Sequence, residues 1–323
     1  MKNIGVIGLG VMATRMISNV RRYGGFRVLA GWDPCSIARH CAVKTNPDLI
    51  IMESPEAIIK DPKIDGIYIA SPPETHADYA MVAIELGKPV LSEKPLDVDL
   101  AKSRKLVDCA AESGTGNAVN FTFATAPAVE EIMKLLKDGS IGDVASVDIL
   151  LHFCKWPRDW QAAAKWLCDR NQGGFLRETF SHYAYLIEKL FGPAELIKAV
   201  TQYPEDKYAA ETHVLALMNC GGIPVTFSGG TGGLNASGAD RVEFTVWGSK
   251  AVCCIYDWNR LRSNEGKGWV EHLSHIHDTR QVGYERQIGA IRAFFAEEDN
   301  PLPDFHAALR VQSLVEEILV ERL

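Results

Sequence analysis

Lys2-Asn3-Ile4-Gly5-Val6-Ile7-Gly8-Leu9-Gly10-Val11-Met12-Ala13 is the stretch that decides how the chain begins to fold. Its first residues read as a buried strand, which runs straight into Gly8-x-Gly10-x-x-Ala13. A helical pattern follows over residues 11–22, a second β-rich run over residues 26–32, and Asp33 closes that run. Strand, glycine turn, helix, strand and acidic residue in this order supply the context that a lone glycine motif lacks, and together they predict dinucleotide binding. Gly8 permits the tight turn, Gly10 lets backbone N–H groups approach a pyrophosphate, and Ala13 is small enough for the helix to pack close to the strand. The helix that begins at Val11 and Met12 then turns its N-terminal partial positive charge toward the phosphates. Asp33 accepts hydrogen bonds from ribose hydroxyls but repels a 2′-phosphate, which favours NAD over NADP. Arg39, six residues on, reads as too far along the next helix to take a phosphate.

A chain of 323 residues is long for one hydrophobic core, so two domains are expected: a dinucleotide-binding domain over residues 1–121 and a substrate-binding and oligomerisation domain over residues 122–323. With 47% hydrophobic and 23% charged residues the composition is that of an ordinary soluble globular protein. The net charge of −7 and the lack of a dense Lys/Arg block argue against nucleic acid or an anionic membrane surface as partner. A first strand that starts at Lys2 leaves no room for a signal peptide, and no apolar run approaches the length of a membrane span, so a cytoplasmic protein is expected. The eight cysteines show neither C-x-x-C pairs nor metal-ligand spacing and are expected to be reduced, mostly buried small hydrophobes.

Along residues 2–121, short β-rich runs alternate with helical stretches, the pattern of βαβ units in a doubly wound parallel sheet. Strands are expected at residues 3–7, 27–32, 49–52, 66–70, 89–91 and 117–121, with further helices at 54–59, 74–86 and 100–112. Beyond a helix at 128–136 the pattern changes to long strands at 144–153, 195–201, 212–219, 224–228, 242–247 and 251–256, which predicts a large, open, mostly antiparallel sheet in an α+β domain. Helices at 176–190 and 284–296 are expected to cover that sheet, and one at 307–320 closes the chain. Gly229-Gly230-Thr231-Gly232-Gly233 lacks a following helix or Lys-Ser/Thr pair and reads as a turn or sheet-edge feature rather than a phosphate loop. One face of so long a sheet needs covering, and a second copy of the chain would supply it, giving a homodimer or homotetramer.

Two segments fall at the carboxyl ends of parallel strands, where open α/β sheets bind ligands: Ser71-Pro72-Pro73-Glu74-Thr75-His76 and Ser92-Glu93-Lys94-Pro95. Pro95 restrains Lys94 toward extended geometry and so helps to aim its side chain. A lysine held beside a nicotinamide stands where an alkoxide forms and collapses.

At this point the chain resembles a known family. Gly8-x-Gly10-x-x-Ala13, Ile69-Ala70-Ser71-Pro72 with His76, Gly87-Lys88-Pro89-Val90-x-x-Glu93-Lys94-Pro95 and Gly173-Gly174-x-Leu176-x-Glu178-x-x-x-His182 are similar to the motifs of the Gfo/Idh/MocA oxidoreductases. Asp138-Gly139-x-Ile141-Gly142 and Val246-Trp247-Gly248-Ser249 extend the likeness over nearly the whole chain. The resemblance implies a Rossmann domain followed by a domain with an open sheet that commonly mediates oligomers, and a dehydrogenase or reductase that uses NAD(P) at a carbinol carbon of sugars, cyclitols or related polyols. It implies a catalytic role for Lys94 and an acid/base role for His182, with Ser71, Pro72, His76, Glu93 and Lys94 joining Gly8, Gly10, Val11, Met12 and Asp33 around the cofactor.

Glu178 stands where the family often carries Asp, four residues before His182 and on the same helix face. It either orients the imidazole or, with its longer reach, touches substrate. Ala124 replaces an arginine that many relatives carry, so any contact made there is absent. The expected mechanism is hydride transfer in which His182 takes the hydroxyl proton and Lys94 holds the alkoxide, with the two roles exchanged if burial lowers the lysine pKa. His76 either lines the nicotinamide pocket or is structural. Trp156, Trp160 and Trp166 form either an aromatic wall for a sugar ring or packing under a long loop. His272, His275 and His277 lack a completing Cys or carboxylate, and no metal is expected. Two other readings keep the fold: a catalytically silent dinucleotide sensor, and an imine or biliverdin-type reductase in which His182 matters little.

Overall fold

An unbroken apolar run makes the first strand. Ile4, Val6 and Ile7 of β1 (Asn3–Ile7) are fully buried, as a strand covered on both faces requires. The computed structural model describes residues 1–233 and 240–320. Alternation continues through α1 (Val11–Tyr23), β2 (Arg27–Trp32), α2 (Ser36–Thr45), β3 (Ile50–Ile51), α3 (Pro55–Lys60), β4 (Gly66–Ile69), α4 (His76–Glu85), β5 (Val90–Ser92), α5 (Leu100–Ser113) and β6 (Asn117–Val119). The sheet is parallel throughout, in the order β3-β2-β1-β4-β5-β6. The order reverses between β1 and β4, which opens a crevice at their carboxyl ends. Inside β1, Gly5 is required by packing, because a Cβ there would lie 2.2 Å from Ile58 Cγ2.

The remaining strands form a second sheet. After α6 (Pro127–Lys137) come β7 (Val144–Phe153), a π-helical turn Leu176–Phe180 that continues as α7 (Ser181–Phe191), β8 (Ala194–Gln202), β9 (His213–Cys220), β10 (Ile223–Thr231), β11 (Arg241–Gly248), β12 (Val252–Tyr256), β13 (Arg260–Asn264) and β14 (Val270–Glu271). Their order is β14-β13-β12-β11-β7-β10-β9-β8, antiparallel except for β7 with β10. Alternation assigns the faces: on β9, Val214, Ala216, Met218 and Cys220 are buried while Leu215 and Leu217 point outward. The inner face receives the helix, with Phe180 stacked on Phe227 at 4.2 Å between ring centroids and Tyr183 on Phe244 at 6.4 Å.

The chain divides into two units, Met1–Ala124 with Tyr284–Leu309 and Thr125–Gly283 with the segment from Arg310 onward. The last helices are α8 (Thr279–Phe295) and α9 (Phe305–Val320). Residues 284–296 were expected to cover the antiparallel sheet. Instead Ile288, Ile291, Phe294 and Phe295 share a core with Ile4, Val6, Met16 and Tyr68 of the first unit. Helical periodicity reveals that a face is buried but not against which sheet. The segment after α8 also reaches β6, where Val119 N donates to Pro303 O at 2.8 Å and Phe305 N donates to Asn117 Oδ1 at 2.8 Å.

Two smaller expectations also change, and two strands go unanticipated. Gly229 and Gly230 lie inside β10, an interior strand, and a Cβ on Gly229 would meet the rings of Phe227 at 2.5 Å and Phe175 at 2.6 Å. Gly232 and Gly233, with φ of 92° and 77°, lie just beyond the strand in left-handed backbone. None of the eight cysteines is joined in a disulfide, and they are not mostly buried: three are buried (Cys220, Cys253, Cys254) and three are exposed (Cys35, Cys41, Cys168), because the exposed ones stand on polar turns and helix faces. The strands β13 and β14 carry too few apolar residues to show in the sequence pattern.

Candidate active site

The glycine turn shows which of its residues the fold itself demands. Gly8 has a φ of 90°, its N–H donates to Trp32 O at 2.8 Å, and a Cβ would lie 2.5 Å from Ser71 N and 2.6 Å from Ala70 C. Gly10 differs: its φ is −75°, and an added Cβ would meet no atom within 4 Å. Nothing in the fold requires glycine there, whereas a group lying against the backbone would. α1 starts at Gly10 with no side-chain cap and no acidic residue in its first turn, so the N–H groups near Val11 and Met12 retain their partial positive charge. Asp33 stands at the end of β2, with Oδ2 accepting from Leu9 N and Oδ1 from Cys35 N, each at 2.8 Å. Each carboxylate oxygen has capacity for a further donor such as a ribose hydroxyl. Arg39 turns back instead of following α2 away: its Nη1 donates to Asp33 O at 2.5 Å and Pro34 O at 3.1 Å. These residues suit a dinucleotide by shape and charge.

At the ends of β4 and β5 the polar side chains are braced. Ser71 Oγ and Thr75 Oγ1 lie 2.7 Å apart, and Thr75 Oγ1 donates to Pro72 O at 2.8 Å, which shapes the turn into α4. His76 is 1% exposed, with Nδ1 2.7 Å from Pro95 O and Nε2 2.7 Å from Ser71 O. Burial lowers its pKa below the ordinary 6.5. Glu93 is also buried, and its Oε1 accepts from Tyr68 Oη at 2.6 Å and Asn120 Nδ2 at 2.7 Å. Gln287 Nε2 in turn donates to Asn120 Oδ1 at 2.5 Å. Burial, and then Glu93, push the Tyr68 phenol well above its ordinary value, so it remains a neutral donor. That carboxylate oxygen therefore ties the ends of β4, β5 and β6 together. Lys94 follows at 9% exposure, ahead of a cis bond to Pro95.

The second unit presents its own pair. Between residues 173 and 187 every residue is buried except Glu178 and His182. Both emerge from the junction between the π-helical turn and α7, a geometry frequent at functional sites. The start of this helix is built with little room. A Cβ on Gly173 would lie 2.4 Å from Trp166 O, and one on Gly174, whose φ is 94°, would lie 2.2 Å from Glu211 Oε2. Glu211 Oε1 accepts from Leu176 N at 2.8 Å. Arg177 pairs with Glu316 through Nε to Oε1 at 2.6 Å and Nη2 to Oε2 at 2.7 Å, while its Nη1 donates to Arg170 O and Gly173 O.

Glu178 is linked outward along the loop. Its Oε1 accepts from Gln161 Nε2 at 2.9 Å, and Gln161 Oε1 accepts from Arg158 Nε at 2.9 Å. The Arg158 guanidinium stands 4.9 Å from the Trp160 ring, 5.0 Å from Trp258, 5.4 Å from Phe153 and 5.6 Å from Trp156. Trp156 belongs to the packing, with its Nε1 donating to Leu167 O, whereas Trp160 is 46% exposed. Sequence reasoning missed Gln161, Glu211 and the Tyr68–Asn120 pair around Glu93, since each acts through a partner distant in sequence. His272 bonds Ser263 Oγ at 2.7 Å, and among the described residues no group of three or more His, Cys, Asp or Glu could hold a metal ion. No described helix is long and apolar enough to cross a membrane.

Comparison with known proteins adds two family matches. Residues 2–121 match the oxidoreductase family with an NAD-binding Rossmann fold, and residues 129–253 match the GFO/IDH/MocA C-terminal domain. An oxidoreductase from Formosa agariphila is 28% identical over 79% of this chain and 78% of its own length. An inositol 2-dehydrogenase from Gluconacetobacter diazotrophicus is 32% identical, over 45% of this chain and 44% of its own. The crystal structure of an oxidoreductase from Thermotoga maritima shares the fold, with a TM-score of 0.86 at 18% identity over 99% of this chain and 97% of its own.

Two outcomes follow for stability. Gly8→Ala should cost about 2 kcal/mol or more through backbone strain and forced contact, while Gly10→Ala, which alters only the first residue of the helix cap, should cost about 1 kcal/mol or less in denaturant unfolding; equal losses would contradict this division. Burial pushes the Glu211 carboxyl from 4.5 up to about 7. A raised folded pKa means that the stability contributed is full below the unfolded value and is lost as pH rises through about 7. Glu211→Gln should therefore flatten the decline in melting temperature across that window, and parallel pH profiles for parent and variant would count against the assignment.

Proposed function

From the premise that the chain belongs to the GFO/IDH/MocA family of oxidoreductases, we propose that it transfers a hydride between a nicotinamide dinucleotide and a carbinol or carbonyl carbon of a cyclitol, sugar or related small polyol. The observation that carries this reading is the emergence of Glu178 and His182, alone between residues 173 and 187, from an otherwise buried helix. A half-exposed imidazole and carboxylate on rigid secondary structure suit a substrate rich in hydroxyls. The name of the inositol 2-dehydrogenase relative supports the same substrate class.

When bound, the dinucleotide supplies the nicotinamide C4 that receives or gives the hydride. Gly10 and the first turn of α1 take the pyrophosphate, and Asp33 takes the ribose hydroxyls, which makes NAD the proposed cofactor. His182 accepts the hydroxyl proton in the oxidative direction. Lys94 donates to the oxygen as its negative charge grows. Glu178, tied through Gln161 to Arg158, is assigned to a substrate hydroxyl rather than to steering His182.

The outward face of the second sheet is proposed to meet a second copy of this chain. Leu215 is 60% exposed there, with Leu217 and Trp247 on the same face. The acid at its centre, Asp148, already accepts from Thr226 Oγ1 and Trp247 Nε1, which lowers the cost of covering it.

Titration with NADH and NADPH, followed by tryptophan quenching, tests the cofactor assignment. Tighter NADH binding, weakened in Gly10→Ala, is expected; equal or tighter NADPH binding would assign Arg39 to the phosphate instead. Turnover of a panel of inositols and sugars should fall by about 10²–10⁴-fold in both Lys94→Met and His182→Asn, with NADH binding retained. Activity surviving in His182→Asn would point to imine or tetrapyrrole reduction, and dinucleotide binding with no turnover to a sensor. In sedimentation equilibrium the parent should be a dimer or tetramer and Leu215→Arg a smaller species; a monomeric parent would remove the interface.

A further inference from the structure

His76 has no polar atom to spare for a ligand. Both of its ring nitrogens lie 2.7 Å from backbone carbonyl oxygens, Nε2 from Ser71 O and Nδ1 from Pro95 O, and the ring is almost wholly buried. These two carbonyls belong to separate turns: one follows β4 and approaches Gly8, and the other follows Lys94. The imidazole is thus a strut between the turn that meets the glycine loop and the turn that carries the lysine. Its own position is set by its place as the first residue of α4.

We propose that His76 is a positioning residue: wedged between the Ser71 and Pro95 carbonyls, with the single N–H of the neutral ring donating to one of them, it fixes Lys94 relative to the Ser71–Pro72 turn and touches neither substrate nor cofactor. The inference rests on the assignment of Lys94 as the group that stabilises the substrate oxygen. A misplacement on the order of 1 Å in such a group costs about 10²-fold in rate, so a strut of this kind has leverage far beyond its hydrogen-bond energy. A purely structural histidine would instead show its loss in stability alone. Its two arms are also chemically separable, because an asparagine amide nitrogen occupies roughly the place of Nδ1 and a glutamine amide nitrogen that of Nε2.

The test uses the full chain and three variants, each checked by thermal melting. His76→Phe keeps a ring in the cavity and removes both polar contacts. His76→Asn retains a donor toward Pro95 O, and His76→Gln one toward Ser71 O. In His76→Phe, kcat on the polyol turned over by the parent should fall by about 10- to 100-fold, with the Kd for NADH within about 3-fold of the parent. His76→Asn, which preserves the lysine arm, should recover more of kcat than His76→Gln. Hydrogen exchange supplies a readout that needs no turnover. Peptides covering residues 92–97 and 70–76 should both exchange faster in the phenylalanine variant, with residues 92–97 protected again by asparagine and residues 70–76 by glutamine.

A kcat that tracks melting temperature alone across the three variants, or exchange that rises evenly over the whole chain, would overturn the proposal. Lys94→Met separates this failure from the failure of its premise. Loss of turnover in that variant with full turnover in His76→Phe defeats the strut only. Full turnover in Lys94→Met removes the lysine assignment and the strut with it.

Discussion

Everything at the carboxyl edge of the parallel sheet depends on how closely the turn after β1 approaches the end of β4. Gly8 lies so near the backbone of Ala70 and Ser71 that no side chain fits, and its left-handed φ directs the chain into α1. This contact places the uncapped start of a helix at the point where strand order reverses. An anion is favoured there because four N–H groups per helix start lack intrahelical partners and the summed peptide dipoles point the same way. Gly10, where a side chain would meet no clash, then becomes informative, since it leaves the backbone at the helix start open to a group from outside the chain.

The same economy governs the polar residues. In the first unit, Tyr68, Asn120 and Gln287 surround or support the Glu93 carboxylate, and His76 spans two carbonyls, so the buried polar atoms next to Lys94 are spent on holding strand ends in register. In the second unit, Glu211 accepts from the backbone at the helix start, and Arg177 closes the loop below it onto Glu316. Charges buried in this way stabilise little on balance but are costly to leave unpaired, so they specify one arrangement. The side chains that emerge, Glu178 and His182, inherit that rigidity.

Much of this was legible in the sequence because it is local. The β1–α1–β2 run shows its strand, turn and helix within 33 residues, and the bounds of β7 follow from its β-rich residues. The candidate lysine and histidine came from motif resemblance, and geometry adds to them their exposure and bracing. What was not legible is pairing at long range. The helical pattern of residues 284–296 gave a helix but not the sheet it covers, and Phe295 packs against Phe26 far away in sequence. Gly229 looked like a turn because its strand role depends on Phe175, which no local pattern reveals. Glu211 and Gln161 read as ordinary polar residues, since their roles are set by Leu176 and by Glu178 with Arg158.

The most direct test of the account is a crystal structure of the chain with NAD bound. The pyrophosphate is expected against the backbone at Gly10, Val11 and Met12, the adenosine ribose on Asp33, and the nicotinamide ring beside Lys94, with His76 still between its two carbonyls. A dinucleotide bound away from the glycine turn, or one whose nicotinamide lies remote from Lys94, would contradict it.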